Sequence, residues 1–371
     1  MTSRTIRGAV LERTGAQRPY AASRPLRVAE LELEGPGPGE VLVRIEAAGV
    51  CHSDLSVVNG SRVRPLPMLL GHEAAGRIEE LGPEVPDLRL GQRVVMAFLP
   101  RCGECAACRT NGKMPCTPGS AANNAGTLLG GGVRLSRDGE PVLHHLGVSA
   151  FATHAVVNYR SVVAVEDDVP PAVAALLGCA VLTGAGAVLN AAPPGPEDAV
   201  AVVGLGGVGM AALLAARAAG VHSVIGIDAL PEKLKRALEL GADAVYTPEQ
   251  AAAAGIRAAL AVEAAGHPRA FETAVQLTAA GGTTVTVGLP APDQRAEVTP
   301  LTLTAEARTI IGSYLGSAVP SRDIPVYADL WRRGKLPVEE LVSAEVALED
   351  INEAMDTLAD GNAVRQVIHF E

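Results

Sequence analysis

The stretch Val200-Ala201-Val202-Val203-Gly204-Leu205-Gly206-Gly207-Val208-Gly209 constrains the fold of this chain more than any other ten residues. A strand candidate, Val200–Val203, runs into a G-x-G-x-x-G turn, and an Ala/Leu-rich segment, Val208–Ala219, continues at helical length. A glycine turn between strand and helix lets a phosphate approach the backbone N–H groups at the positive end of the helix. In a chain with 40 Gly such a pattern arises easily, so its context decides. A second strand candidate, Ser223–Ile227, ends at Asp228, nineteen residues past Gly209. A carboxylate there binds the adenosine ribose diol and repels an added phosphate. Gly204, Gly206, Gly207, Val208, Gly209 and Asp228 therefore read as a dinucleotide site that favours NAD over NADP. Val287, closing the strand candidate Thr283–Val287, is assigned to the same site.

The surrounding pattern extends this unit. Pro231–Leu240 reads as a helix closed by Gly241, and Ala261–Glu263 as a further strand, so apolar strands alternate with helices as in a doubly wound parallel sheet. Upstream, short β segments such as Val41–Ile45 follow turn signals such as Gly35-Pro36-Gly37-Pro38-Gly39. Downstream of Leu315 the alternation fades, apart from a helical stretch Leu348–Ala359, while Gln250–Ala254 reads as a surface helix. A chain of 371 residues exceeds the ~250–300 that one core supports. The expected architecture is α/β: a β-rich domain over 1–180, a doubly wound domain over 181–315, and a return to the first domain over 316–371.

Charge and hydropathy restrict the partners. The balance of 31 basic against 41 acidic residues, net −10, repels phosphate backbones and anionic lipid, and no basic patch offsets it. Neither nucleic acid nor membrane is expected as a partner. The first residues lack the apolar core of a signal peptide, so the expected location is the cytoplasm. Two apolar runs, Ala172–Ala192 and Ala199–Ala219, approach the length of a membrane span. Thr183, Gly184, Gly186 and Asn190 interrupt the first and the glycine turn the second, so both read as buried elements of a packed core.

Two constellations carry metal chemistry. Cys102, Cys105, Cys108 and Cys116 fall within fifteen residues, the spacing of a closed tetrahedral zinc site; a pair of disulfides and an iron–sulfur cluster are the alternatives. The second set is dispersed: Cys51-His52-Ser53-Asp54, Gly71-His72-Glu73 and Gly178-Cys179. Taken singly, His72 or Cys179 would read as an ordinary core residue. Two cysteines and a histidine from separate segments, with a fourth position open, describe a catalytic zinc site, so two Zn2+ per chain are expected. Asp54 is a candidate acceptor for the His72 ring N–H, and Glu73 a transient zinc ligand or positioning carboxylate.

Together these motifs resemble the zinc-containing alcohol dehydrogenases of the medium-chain dehydrogenase/reductase family. The likeness runs through Gly49–Asp54, Gly71–Gly76, the four-cysteine lobe, Gly178–Gly184 and the glycine turn. It implies a GroES-like catalytic domain interrupted by a Rossmann domain, and reversible hydride transfer between a primary or aryl alcohol and NAD. It further implies that Cys51, His72 and Cys179 hold the catalytic zinc and that Ser53 takes the substrate proton. His52 and Arg365 match positions beside the cofactor pyrophosphate, Lys233 one beside the adenosine ribose, and Phe98, His145 and Leu146 positions lining the substrate pocket. Relatives also imply a homodimer or homotetramer, with Thr309–Tyr314 as the candidate edge.

Some positions depart from the family pattern. The histidine that relays protons in many relatives, five residues past the first zinc ligand, is Ser56 here. Tyr314, Gly316 and Pro320–Pro325 resemble thiol-dependent formaldehyde dehydrogenases, with aryl-alcohol enzymes close behind. Arg62 and Arg64 could anchor a thiol adduct, whereas Ser120 stands where glutathione-dependent relatives often carry arginine. A thiol-dependent formaldehyde dehydrogenase or S-nitrosothiol reductase is the alternative enzyme, and a non-catalytic dinucleotide-binding relative the alternative from another class.

Overall fold

The computed structural model describes residues 3–371. Alternation of side chains shapes the amino-terminal part. In Leu26–Glu34, Leu31 and Leu33 point inward while Glu30, Glu32 and Glu34 point to solvent, as a half-buried strand requires. That strand pairs antiparallel with Ser3–Leu11. With Leu135–Arg137, Glu140–His144 and Met68–Leu69 they close a barrel. A second sheet runs in the order Val162–Ala164, Arg93–Met96, Glu73–Leu81, Glu40–Val50, Gln366–His369 and Ala344–Val346. Its member Gln366–His369 lies antiparallel on Ala47–Val50, which brings the carboxy-terminal tail back onto the first half of the chain.

Between these segments lies a wholly parallel sheet of six strands: Ala244–Tyr246, Ser223–Ile227, Ala199–Val203, Ala258–Glu263, Thr278–Thr286 and Thr309–Gly312. In sequence order the strands stand 3-2-1-4-5-6, the doubly wound arrangement, with its ligand crevice at the carboxyl ends where the order reverses. The two central strands, Ala199–Val203 and Ala258–Glu263, are Ala, Val and Leu apart from Glu263, because helices cover both faces. Helix Gly207–Ala219 is buried from Gly209 to Ala216, and Gly220 ends it with φ 73°.

The run Ala172–Ala192 forms two buried helices, Pro171–Leu177 and Ala180–Gly186, whose last turns continue to Ala191; they meet at a 49° bend. Among the described residues no single helix is long and apolar enough to cross a membrane. One core cluster joins Val95, Phe98, Cys51 and Cys179 of the β-rich part to Val202, Leu205 and Met210 of the parallel-sheet part, so the two parts share a continuous core.

Candidate active site

Sheet register places the first two cysteine–histidine ligands. Strands Glu40–Val50 and Glu73–Leu81 run antiparallel with Gly49 opposite Glu73. Continued past the ends of the strands, that register sets His72 opposite Val50 and Cys51 opposite Gly71, one position apart. Cys51 then precedes helix His52–Val58 as its N-terminal cap. The third partner arrives at the bend between the two buried helices. A side chain at Gly178 would collide with the Met96 carbonyl, so only glycine brings Cys179 this close to the sheet. The Sγ atoms of Cys51 and Cys179 and one ring nitrogen of His72 all lie within 4.8 Å of one another. Cys179 Sγ is 3.4 Å from His72 Nε2.

Asp54 sets the direction of the histidine. Its Oδ1 stands 3.1 Å from His72 Nδ1 and accepts from the Gly71 amide at 3.1 Å, while Oδ2 accepts from the Cys51 amide at 3.2 Å. With Nδ1–H donated to Asp54, the Nε2 lone pair faces the two sulfurs. A thiol hydrogen bond from Cys179, aided by the Arg365 charge, draws Cys51 well below the ordinary thiol range. The same bond and burial push Cys179 well above it. Two buried sulfurs and an oriented imidazole whose partners at this point are one another form a donor set suited to one zinc ion.

Glu73 stands apart from the three-ligand cluster. Its Oε1 accepts from the Ala180 amide at 3.2 Å, and its Oε2 lies 3.2 Å from Arg365 Nη1. Burial lifts its pKa to about 7 against the pull of Arg365. Arg365 is only 3% exposed; it donates to the Val50 carbonyl at 3.1 Å, and a side chain at Gly207 would strike its guanidinium. It thus spans the gap between Glu73 and the glycine turn, with a buried Nε that has no protein partner. A guanidinium at the amino end of Gly207–Ala219, paired with Glu73 on one side and with Nε left free, fits a dinucleotide pyrophosphate.

The remaining positions expected at the cofactor follow the turn. A Cβ at Gly209 would strike the Gly204 carbonyl, so the tight turn demands glycine there. Val208 lies in the first turn of the helix that the turn opens. Asp228 accepts from the Leu205 amide at 2.8 Å and the Leu230 amide at 3.0 Å, which fixes its carboxylate at the end of the second strand. Lys233 lines a cavity of about 350 Å³ with Leu230, Arg236, Ser343, Asn362 and Val364. Val287 follows strand Thr278–Thr286, where its amide bonds the Glu263 carbonyl at 2.9 Å. His52 stands at the open first turn of its helix, and burial of part of its ring, with Arg365 and Lys233 nearby, lowers its pKa.

Around the ligands the wall is aromatic. Phe98 meets His72 edge-on at 5.5 Å and Tyr314 edge-on at 5.8 Å, and the His145 ring centre is 5.6 Å from that of His72. Both His145 nitrogens are buried without a hydrogen-bond partner, and burial holds its pKa well below the usual value. Leu146 is 7% exposed beside it. Ser53 makes no side-chain hydrogen bond among the described residues, whereas Ser56 Oγ turns back onto the His52 carbonyl at 2.8 Å. Tyr314 was not assigned to this wall from the sequence. It enters through a turn in which Leu315, Gly316 and Ser317 all have positive φ, a geometry that no local pattern announces.

The four-cysteine lobe is compact. All four sulfurs lie within 4.8 Å of one another, with Cys102 and Cys108 at 3.9 Å. Four sulfurs ~2.3 Å from a tetrahedral ion would stand about 3.8 Å apart, so zinc fits. Backbone amides of Cys105, Cys108, Cys102 and Gly119 point at the sulfurs of Cys102, Cys105 and Cys116 from 3.3 to 3.4 Å. Such amides, with that of Thr117 foremost, lower Cys105 to about 6. All six cysteines of the chain are free.

Comparison with known proteins agrees with this geometry. Residues 37–167 match the alcohol dehydrogenase GroES-like domain, and residues 207–332 match the zinc-binding dehydrogenase domain. Geraniol dehydrogenase of Castellaniella defragrans is 38% identical over 356 residues, covering 93% of this chain and 95% of that protein. The NDMA-dependent alcohol dehydrogenase of Amycolatopsis methanolica is 34% identical over 359 residues, 94% of this chain and 96% of its own. Among solved structures, benzyl alcohol dehydrogenase from Acinetobacter calcoaceticus superposes with a TM-score of 0.90 at 31% identity, covering 99% of this chain and 100% of that one.

Proposed function

Because the chain belongs to the zinc-dependent alcohol dehydrogenases of the medium-chain dehydrogenase/reductase family, we propose that it oxidises a primary or aryl alcohol to its aldehyde with NAD, reversibly, at Cys51, His72 and Cys179. The observation that carries this reading is the convergence of those three buried side chains within 4.8 Å, with Asp54 behind the histidine. Zinc bound there supplies Lewis acidity toward the alcohol oxygen, and nicotinamide supplies the hydride acceptor.

The chain's own residues do the rest. Asp54 keeps the His72 Nε2 lone pair aimed at the ligand position. Ser53 Oγ, two residues from Cys51 and free of protein partners, takes the hydroxyl proton. Since Ser56 is turned onto its own helix, that proton leaves through water or along His52. Phe98, Tyr314 and Leu146 exclude water, which strengthens every charge interaction at the reacting centre. Arg365 and the amides after Gly206 hold the pyrophosphate, Lys233 stands by the ribose, and Asp228 makes NAD the preferred acceptor. Glu73 neutralises Arg365 and positions Cys179 through the Ala180 amide. Cys102, Cys105, Cys108 and Cys116 hold a second, structural zinc.

Strand Thr309–Gly312 ends the parallel sheet with one side unpaired, and pairing with the same strand of a second copy would close it into a homodimer, or a tetramer built from two. The functional test is NADH formation from benzyl alcohol and geraniol by zinc-replete protein. Turnover without added thiol is expected; strict dependence on a thiol would transfer the activity to a thiol adduct.

A further inference from the structure

The most buried arginines of this protein face carboxylates. Arg93 meets Glu46 at 2.8 Å, Arg134 meets Glu40 at 2.8 Å, and Arg365 meets Glu73 at 3.2 Å. Arg62 and Arg64 break the pattern, since among the described residues no carboxylate lies within 4.0 Å of either, in a chain with 41 acidic residues. Both are only partly exposed. Arg64 donates from Nη1 to the Asn123 carbonyl at 3.3 Å and to Asn124 Oδ1 at 2.7 Å, while its Nε is buried without a partner. Burial and the adjacent Arg62 charge both act against its protonated form. Two like charges held together in a half-dry place are destabilising unless an anion joins them.

The position of Arg64 relates it to the active site. Asn123, to which it is bonded, donates from Nδ2 to the Phe98 carbonyl at 2.7 Å. Phe98 in turn stands edge-on to both His72 and Tyr314. The fields of Arg62 and Arg64 reach Tyr314, and that of Arg64 reaches His145, whose Nε2 stands 3.6 Å from Asp54 Oδ1 and whose Nδ1 has no partner. From the zinc ligands outward, the wall therefore changes from aromatic to cationic. We propose that the pocket receives an alcohol carrying a carboxylate at the end remote from its hydroxyl, held by the guanidinium of Arg64 with Arg62 beside it. Two parallel N–H groups on one edge of a guanidinium match the two oxygens of a carboxylate. His145 supplies a further polar contact along the way. The proposal rests on Cys51, His72 and Cys179 marking the hydroxyl end.

The test compares 4-(hydroxymethyl)benzoate with its uncharged methyl ester as substrates of the zinc-loaded enzyme with NAD at low ionic strength. The acid-to-ester ratio of kcat/KM should be about tenfold, the equivalent of ~1.4 kcal/mol. It should fall toward one in Arg64→Gln and survive in part in Arg64→Lys. Because the ratio compares two substrates on one protein, a change in the folded fraction cancels. A wild-type ratio of one or below, or a ratio unchanged in Arg64→Gln, overturns the carboxylate proposal and leaves the dehydrogenase reading intact. Failure to oxidise either alcohol, or benzyl alcohol, overturns the dehydrogenase reading itself and the proposal with it.

Discussion

Replacing Asp54 by Asn changes one atom in the carboxylate and removes its charge. The native side chain is fully buried and accepts from three donors, His72 Nδ1 and the amides of Gly71 and Cys51. An asparagine has one oxygen for that task, and its NH2 must face a donor whichever way it is turned. If the oxygen keeps Gly71 and His72, the Cys51 amide is left unbonded; if it turns to Cys51, two donors are lost. One buried unsatisfied donor costs about 1–3 kcal/mol, and a lost carboxylate behind a metal-bound histidine lowers metal affinity or activity about 10–100-fold. Asp54→Asn should therefore fold, lose catalytic zinc to a chelator about 10–100-fold more readily, and keep its four-cysteine zinc. Metal analysis after graded chelation, read beside kcat/KM for benzyl alcohol, checks this. Equal zinc retention in Asp54→Asn and the native protein would refute the orienting role given to Asp54.

Other substitutions reach other parts of the account. On the proposed reading that Asp228 disfavours an added phosphate, Asp228→Ala should raise kcat/KM with NADP relative to NAD by about tenfold or more, from comparison of the two cofactors at saturating alcohol. Arg365→Met leaves Glu73 buried without its partner and should cost about 3–5 kcal/mol in urea unfolding together with weaker NADH binding. His144 is wholly buried and accepts from the Arg134 amide at 3.1 Å, and burial holds its pKa at about 3. Below the ordinary histidine pKa of ~6.5 the unfolded chain takes up a proton that the native state refuses, so this residue's contribution falls with pH by up to about 1.4 kcal/mol per unit down to about 3. Thermal melts of His144→Asn between pH 7 and 4 should decline less steeply than those of the native protein.

Much of this arrangement could be read from local sequence, for identifiable reasons. The glycine turn, the strand before it and Asp228 after it are fixed by backbone geometry within thirty residues, and the parallel sheet around them appears as read. Asp54 was legible because it shares one helical turn with Cys51. The Glu73–Arg365 pair was not, since nearly the whole chain separates the two and only the pairing of Gln366–His369 with Ala47–Val50 brings them together. Pro320 and Pro325 hid the helix Pro320–Arg332: the first occupies its opening turn, and the second sits inside it where a proline reads as a breaker. The bend at Gly178 likewise has no local signature beyond one glycine, yet it delivers Cys179.

The most direct measurement is zinc-edge anomalous diffraction from crystals of the holoenzyme grown with NADH. Two peaks per chain are predicted, one among Cys102, Cys105, Cys108 and Cys116 and one bounded by Cys51 Sγ, His72 Nε2 and Cys179 Sγ across the crevice from the nicotinamide. A peak in the four-cysteine lobe alone, in crystals of protein that still oxidises benzyl alcohol, would contradict the account.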